Sequence, residues 1–301
     1  MAITIPTSLT FFRWRPACWL RVTGEDAARF LQGQFTNDLR RLNPGDTAYG
    51  LWLSVKGKVL ADSFVRLGAN EGVYWIGSYW SPVETIRARL ESYVIADDVM
   101  LEDQTGAWAG VSLLGNVPEA LVAQAAQEGA IVFRARRDRG DGIECVYDRS
   151  RGQPAILAAA MAQGRELKRD EMERRRIAAG IPAIPVDAGP GDLPNEAALE
   201  ADAISYTKGC YLGQEVMARL KAMGQVRRRL RRVQGSDVDV PAAPAPLFAE
   251  GRQVGELRSA VGDGAGGWMG LAMISLLALG STTRVALAEA ANRSVAVLEG
   301  P

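Results

Sequence analysis

The 301-residue chain carries 35 basic and 35 acidic side chains, no histidine, and a 48% hydrophobic content. That length predicts about two domains with sizeable cores, and the balanced charge gives no global pull toward nucleic acid or membrane. The missing imidazole excludes Ser-His-Asp and Cys-His catalysis, histidine-ligated zinc and histidine proton shuttling within the chain.

In chain order, the first strand starts at Trp19, and VTGEDAARFLQG then predicts a helix with Ala27, Phe30 and Leu31 on one face and a stop at Gly33. TAYGLWLSV and KVLADSFVRL predict a hairpin about the Lys56-Gly57-Lys58 turn. GVYWIGSY predicts a strand, and SPVETIRARLESYV a helix with Pro82 in its first turn. A strand (WAGVSLLG), a helix (PEALVAQAAQEG) and a strand (GIECVYD) follow, then a helical region from Ala155 to Ala179 that ends at Gly180 and Pro182. The order lacks a strict βαβ rhythm, so an α+β class is expected. ISYTKGCYLGQEVMARL predicts a strand through Tyr206, a turn at Gly209 and a helix to about Leu220. Beyond residue 224 the short apolar runs and Gly-rich turns predict a small antiparallel β-barrel or sandwich, which divides the chain into 1–223 and 224–301.

The cysteines, Cys18, Cys145 and Cys210, are widely spaced and form no CxxC, which fits a reducing compartment and neither a disulfide framework nor a metal site. Cys145 alternates with Ile143 and Tyr147, and Cys18 lies in the apolar ACWLRV, so both read as core residues. MAITIPTSLTFFRWRP lacks a basic region followed by a long apolar core. The most apolar stretch, from Trp268, is far shorter than the roughly 20 residues a membrane span needs. A cytoplasmic protein without a membrane anchor is expected.

The stretch KGCYLGQE concentrates the chemistry. A cysteine in the first turn of a helix, close to Lys208, favours a thiolate at Cys210. Without histidine, its base must be a carboxylate such as Glu215 or a bound ligand; the bland alternative is a small residue under a turn. LPNEAALEADAI presents Asn195 and Glu196 after a proline, with Glu200 beyond. A carboxylate on a rigid loop accepts two hydrogen bonds from an amidine-like edge such as a pterin's; the alternative is an exposed glutamate at a helix start. RELKRDEMERRR reads as a solvated helix face with Asp170–Arg174 and Glu171–Arg175 pairs. VRRRLRR reads as a barrel edge guarded by charge, or as a patch for a polyanion: nucleic acid or a polyglutamate tail.

KGCYLGQE, LQGQFTNDL (Leu31 to Leu39), the KGK turn, RRRIAAGIP (Arg174 to Pro182), LPNEAAL and GRQVGELRSA run in order along nearly the whole chain. With them the chain resembles the YgfZ family of tetrahydrofolate-binding proteins, relatives of the glycine-cleavage T protein, an aminomethyltransferase. The resemblance implies a ferredoxin-like, aminomethyltransferase-type α+β folate domain followed by a C-terminal barrel, and a part in assembling, maintaining or repairing iron–sulfur enzymes. It implies tetrahydrofolate or a derivative as cofactor, no metal, iron–sulfur enzymes or their assembly factors as partners, and a monomer. It singles out Cys210 and Lys208 for chemistry, and Glu196, Asn195, Arg176, Tyr211, Gln214 and Glu215 for folate. Two departures stand out: Ala178 where many relatives have a glutamate, and Met172 where some have a tryptophan, with Trp19 as a substitute contact. The alternative readings are a true aminomethyltransferase, for which Asp62 is the nearest catalytic aspartate and a poor match, and a nucleic-acid module using Arg227 to Arg232.

Overall fold

A computed structural model describes residues 9–69, 72–224, 226–280, 282–288 and 294–298. The reading of the extreme N-terminus falls in part on residues 1–8, and the tail of the last strand-like run on 299–300; both lie outside the described residues.

The chain begins with β1 (Thr10–Trp14), β2 (Cys18–Thr23), α1 (Ala27–Gln34), β3 (Thr47–Leu53), β4 (Val59–Leu67), β5 (Tyr74–Ser78) and α2 (Val83–Glu91). It continues through β6 (Met100–Asp103), β7 (Trp108–Leu114), α3 (Glu119–Gln127), β8 (Ile131–Arg134), β9 (Ile143–Asp148), α4 (Ala155–Gln163), β10 (Arg165–Glu166) and α5 (Arg169–Ala178). After a long loop come α6 (Gln214–Met223), β11 (Arg228–Gly235), β12 (Ala245–Ala249), β13 (Arg252–Gly262), β14 (Trp268–Ser275), α7 (Leu276–Leu279), β15 (Arg284–Ala286) and β16 (Ser294–Val297). The strands form two five-stranded sheets, β10-β1-β7-β9-β8 and β3-β4-β5-β2-β6, and a closed barrel, β11-β14-β13-β12-β15-β16. No helix among the described residues is long and apolar enough to cross a membrane.

By compactness the chain makes two units. One comprises the stretches up to Ala27, Leu42–Ala48 and Phe64–Met172; the other Ala28–Arg41, Tyr49–Ser63 and the chain from Glu173 on. In the first, β1 pairs antiparallel with β7 (Thr10 opposite Leu114) and parallel with β10. Helices α3 and α4 cover that sheet with Leu121, Ala125, Ile156, Leu157 and Ala160, against Phe11, Val111, Leu113 and Cys145. Pro82 and Pro118 stand just before α2 and α3 with extended ψ, where a missing N–H costs no helical bond. Cys18 and Cys145 are buried in the core, and burial pushes the Cys145 thiol well up.

In the second unit the barrel interior is filled by Val233, Leu247, Leu257, Trp268, Ala272, Val285 and Val295. A separate core gathers Leu51, Leu53, Val59, Ile177, Ile184, Leu199, Tyr211, Met217 and Leu230. Each such large side chain contributes about 1.5–3 kcal/mol on leaving water.

Several local expectations change. Strand β1 precedes the strand expected from Trp19, and β10 breaks the helical region expected over Ala155–Ala179 into α4 and α5. Helix α1 runs through Gly33 to Gln34. No strand includes Ile204 to Tyr206, and α6 starts only at Gln214. Strand β11 is not an edge: it pairs with β14 along its whole length and with β16 at its far end. Helix α5 is not purely solvated, since Met172 and Arg176 are buried and Arg174 donates to the Gly262 carbonyl at 2.9 Å.

Candidate functional site: the KGCYLGQE loop and its supports

The Cys210 loop is held from two sides within the second unit. On one side is the segment after α1. Thr36 Oγ1 donates to the Ala203 carbonyl at 2.6 Å and accepts from the Leu51 N–H at 2.8 Å, while the N–H groups of Ser205 and Leu212 reach the carbonyls of Thr36 and Gly33. The decisive contact is Lys208. Its Nζ donates to the carbonyls of Gln32, Phe35 and Asn37 at 2.7, 2.6 and 2.9 Å, which uses all three ammonium protons. The residue is 5% exposed, and burial lowers its pKa to about 8, with the Asp38 charge opposing.

On the other side is the β3–β4 turn. Gly213, just before α6, has φ +85°, and a side chain there would meet the Ser54 carbonyl oxygen at 2.9 Å. Gly57, in the turn itself, has φ +68°, and a Cβ would sit 2.9 Å from that of Val216. Both positions need a left-handed residue without a side chain, which explains the glycines of KGK and of YLGQE.

Cys210 is exposed on this clamped loop, four positions ahead of Gln214. The expected placement in a helical first turn is therefore corrected: Gly213 turns the chain left-handed before the helix can begin. Tyr211 is buried, its pKa pushed up to about 12 by burial, and Gln214 Oε1 accepts its N–H at 3.2 Å. Glu215 lies on the exposed surface, paired with Arg219 at 3.4 Å.

Glu196 is not an exposed glutamate at a helix start. It sits 5% exposed in a short 3-10 turn, Pro194–Ala197, where Oε2 accepts the Leu193 N–H at 2.8 Å. Arg228, on β11, donates from Nε to Oε1 at 3.0 Å and from Nη2 to Oε2 at 2.9 Å, and lies 3.1 Å from Asp192. A buried carboxylate here receives a planar pair of N–H groups, the donor pattern a pterin edge presents. Arg176 is 2% exposed and enclosed by protein: Nη1 donates to Asp187 at 2.5 Å and to the Ile181 carbonyl at 2.6 Å, and its other nitrogens reach Glu173 and Ser259. Asn195, next to Glu196 in sequence, instead lines a separate cleft of about 430 Å3.

Trp19 is 2% exposed and packs against Trp75 and Trp108, with ring centroids 6.0 and 5.5 Å away, in the first unit. Met172 is a core residue, and the Ala178 carbonyl accepts from Arg232 at 2.9 Å. Asp62 is buried and accepts from the Tyr49 hydroxyl at 3.0 Å. Sequence reasoning missed Arg228 as the partner of Glu196 and, on its other side, of Asp192. Its only trace was a basic run, which gives no hint that Arg228 points inward.

The sequence matches the GCVT N-terminal domain over residues 16–149 and the CAF17 C-terminal beta-barrel domain over residues 227–297. It is 31% identical over 287 residues to the human mitochondrial iron–sulfur cluster assembly factor IBA57, spanning 87% of this chain and 76% of that protein. The chain belongs to the IBA57 and YgfZ family. A further relative is the tRNA-modifying protein YgfZ of Vibrio vulnificus strain CMCP6, 29% identical over 259 residues, covering 81% of this chain and 75% of that one. The aminomethyltransferase T of the Bartonella henselae glycine cleavage system shares the fold, with a TM-score of 0.80 over 96% of this chain and 85% of that one, at 17% identity.

Proposed function

We propose that the protein is a tetrahydrofolate-binding accessory factor that supports the assembly, maintenance or repair of iron–sulfur enzymes, with Cys210 as its working thiol. The observation that carries this reading is the similarity, over 87% of this chain and 76% of the relative, to an iron–sulfur cluster assembly factor, beside the matches to an N-terminal domain and a C-terminal barrel. The reading keeps the division of the chain at residue 224 and a monomer whose clients are iron–sulfur enzymes or their assembly factors. Three cysteines without a disulfide suit a reducing, cytoplasmic-type compartment.

In this reading Glu196 receives the N–H pair of the pterin, with Asn195, Tyr211, Gln214 and Glu215 around the loop, and Arg228 must cede its place on the carboxylate. Folate supplies the one-carbon chemistry when bound. Lys208 acts by positioning: its ammonium bonds to three carbonyls and so fixes the loop that carries the thiol. Arg176 acts at one remove, by holding Asp187 and the Ile181 carbonyl.

The test is a titration with tetrahydrofolate followed by tryptophan fluorescence and calorimetry, with Glu196→Ala and Cys210→Ala alongside. Micromolar binding, about 8 kcal/mol, lost in Glu196→Ala and kept in Cys210→Ala, is expected. A Cys210→Ser protein that fully restores iron–sulfur enzyme activity in cells lacking the gene would sink the role given to the thiol.

A further inference from the structure

The first unit carries a cleft of about 420 Å3 at one end of the β10-β1-β7-β9-β8 sheet, where the end of β1, the start of β7 and the end of β9 meet. Small-molecule sites fall in this size range. Its wall is basic and aromatic, and the side chains that give it that character reach solvent. Arg13, Arg15 and Gln153 are exposed on it; Tyr147 is half-buried and packs against the core under α3 and α4. Arg13 and Tyr147 are close enough to interact electrostatically.

The positive charge is only partly answered from within. Arg13 uses Nε and Nη2 on Glu166, at 2.7 and 2.9 Å. Arg15 makes one long bond, from Nη1 to the Trp108 carbonyl at 3.4 Å, and pairs with no carboxylate among the described residues. Trp108 stands opposite Asp148 in the β7–β9 ladder, so the turn with Arg149 and Arg151 borders the same end of the sheet. There Arg149 donates to the Gly106 carbonyl at 3.2 Å, and Arg151 lies 3.8 Å from Asp148. Four guanidinium groups thus face two carboxylates, Glu166 and Asp148. The excess calls for an anion, and the Tyr147 ring for one with a flat face. The Gln153 amide both donates and accepts, as the edge of a nucleobase requires. An isolated phosphate would leave the ring and the amide unused, and a duplex offers no unstacked base.

We infer that this end of the sheet binds single-stranded nucleic acid, with one base stacked on Tyr147 and its edge on Gln153, and with successive phosphates on Arg13, Arg15 and Arg149. The residues belong to the first unit and the proposed folate residues to the second, so the site goes beyond the folate reading and does not depend on it.

The test is fluorescence anisotropy of the full chain with a labelled single strand of about 12 nucleotides, as RNA and as DNA. At least one of the two binds, and the logarithm of its affinity falls against the logarithm of salt with a slope of about −2, for three phosphates. Arg15→Gln flattens that slope by about 0.7 and keeps its urea midpoint, since the exposed side chain gives up one long hydrogen bond. Tyr147→Leu weakens binding at least about fivefold, while Tyr147→Phe, which keeps the ring, binds as the wild type does; that rescue separates stacking from packing. An Arg229→Gln, Arg231→Gln double variant on β11 binds as the wild type does. Loss of binding in that double variant, with full binding in Arg15→Gln, overturns the assignment to this cleft. Inorganic polyphosphate that competes as well as unlabelled oligonucleotide overturns the part given to the ring, and failure of folded wild type to bind either strand at low salt overturns the proposal.

Discussion

Arg137 and Glu144 meet inside the first unit, with side chains 5% and 0% exposed and Nε 3.2 Å from Oε1. The same carboxylate accepts from Trp14 Nε1 and the Tyr79 hydroxyl, each at 2.7 Å, and from Ser112 Oγ at 2.9 Å. The guanidinium lies 3.6 Å from the centre of the Tyr79 ring, so charge and quadrupole also attract. Removing one member strands the other: Glu144→Leu costs about 3–5 kcal/mol in urea unfolding. A Glu144→Leu, Arg137→Met double variant recovers part of that loss, because the donors of Trp14, Tyr79 and Ser112 stay unpaired. If it loses as much as the two single variants added together, the pair is not coupled.

Glu196 and Arg228 allow the same test with a smaller answer. The carboxylate is buried, but the Arg228 side chain is 37% exposed, so solvent offsets part of the loss. Arg228→Leu destabilises by about 2 kcal/mol, and Glu196→Gln added to it returns more than half. Under the folate reading Arg228→Leu also tightens tetrahydrofolate binding, because a competing donor pair has gone.

Lys208 sets a pH dependence of unusual sign. Its folded pKa, about 8, lies below the ordinary 10.5. Between those values the unfolded chain holds the extra proton, so this residue's contribution to stability rises as pH is raised through the window. Urea midpoints at about pH 7.5 and about pH 9.5 separate wild type from Lys208→Met, which lacks the rise. That variant also strands the carbonyls of Gln32, Phe35 and Asn37 and loses about 3 kcal/mol at neutral pH.

Exposure sorts the three thiols. Cys210 is exposed, while Cys18 and Cys145 are buried. A thiol reagent modifies one cysteine in the native protein and three in denaturant, and peptide mapping places the native adduct on Cys210. Fast labelling of Cys145 in native buffer contradicts this burial.

The helices and barrel were legible because their signals are local: proline before α2 and α3, and short apolar runs between glycines. The site was legible as motifs and illegible as contacts. Glu196 is paired by Arg228, 32 positions on, and no periodicity links a 3-10 turn to a barrel strand. Lys208 bonds to carbonyls more than 170 positions earlier, which its side-chain type cannot announce. The late start of α6 was missed because Gly213 is a left-handed stop in front of the helix, whereas the sequence pattern continues through it.

The two compact units interleave along the chain: Ala28–Arg41 and Tyr49–Ser63 belong with the chain from Glu173 on. On a ribosome, which adds roughly 5–20 residues each second, those early segments emerge several seconds before their partners. Until Lys208 appears, the carbonyls after α1 have no ammonium to meet, and Leu51 and Leu53 have no Tyr211 or Met217 to cover them. The nascent chain therefore carries an unfinished apolar surface until the residues from Lys208 onward emerge to complete it.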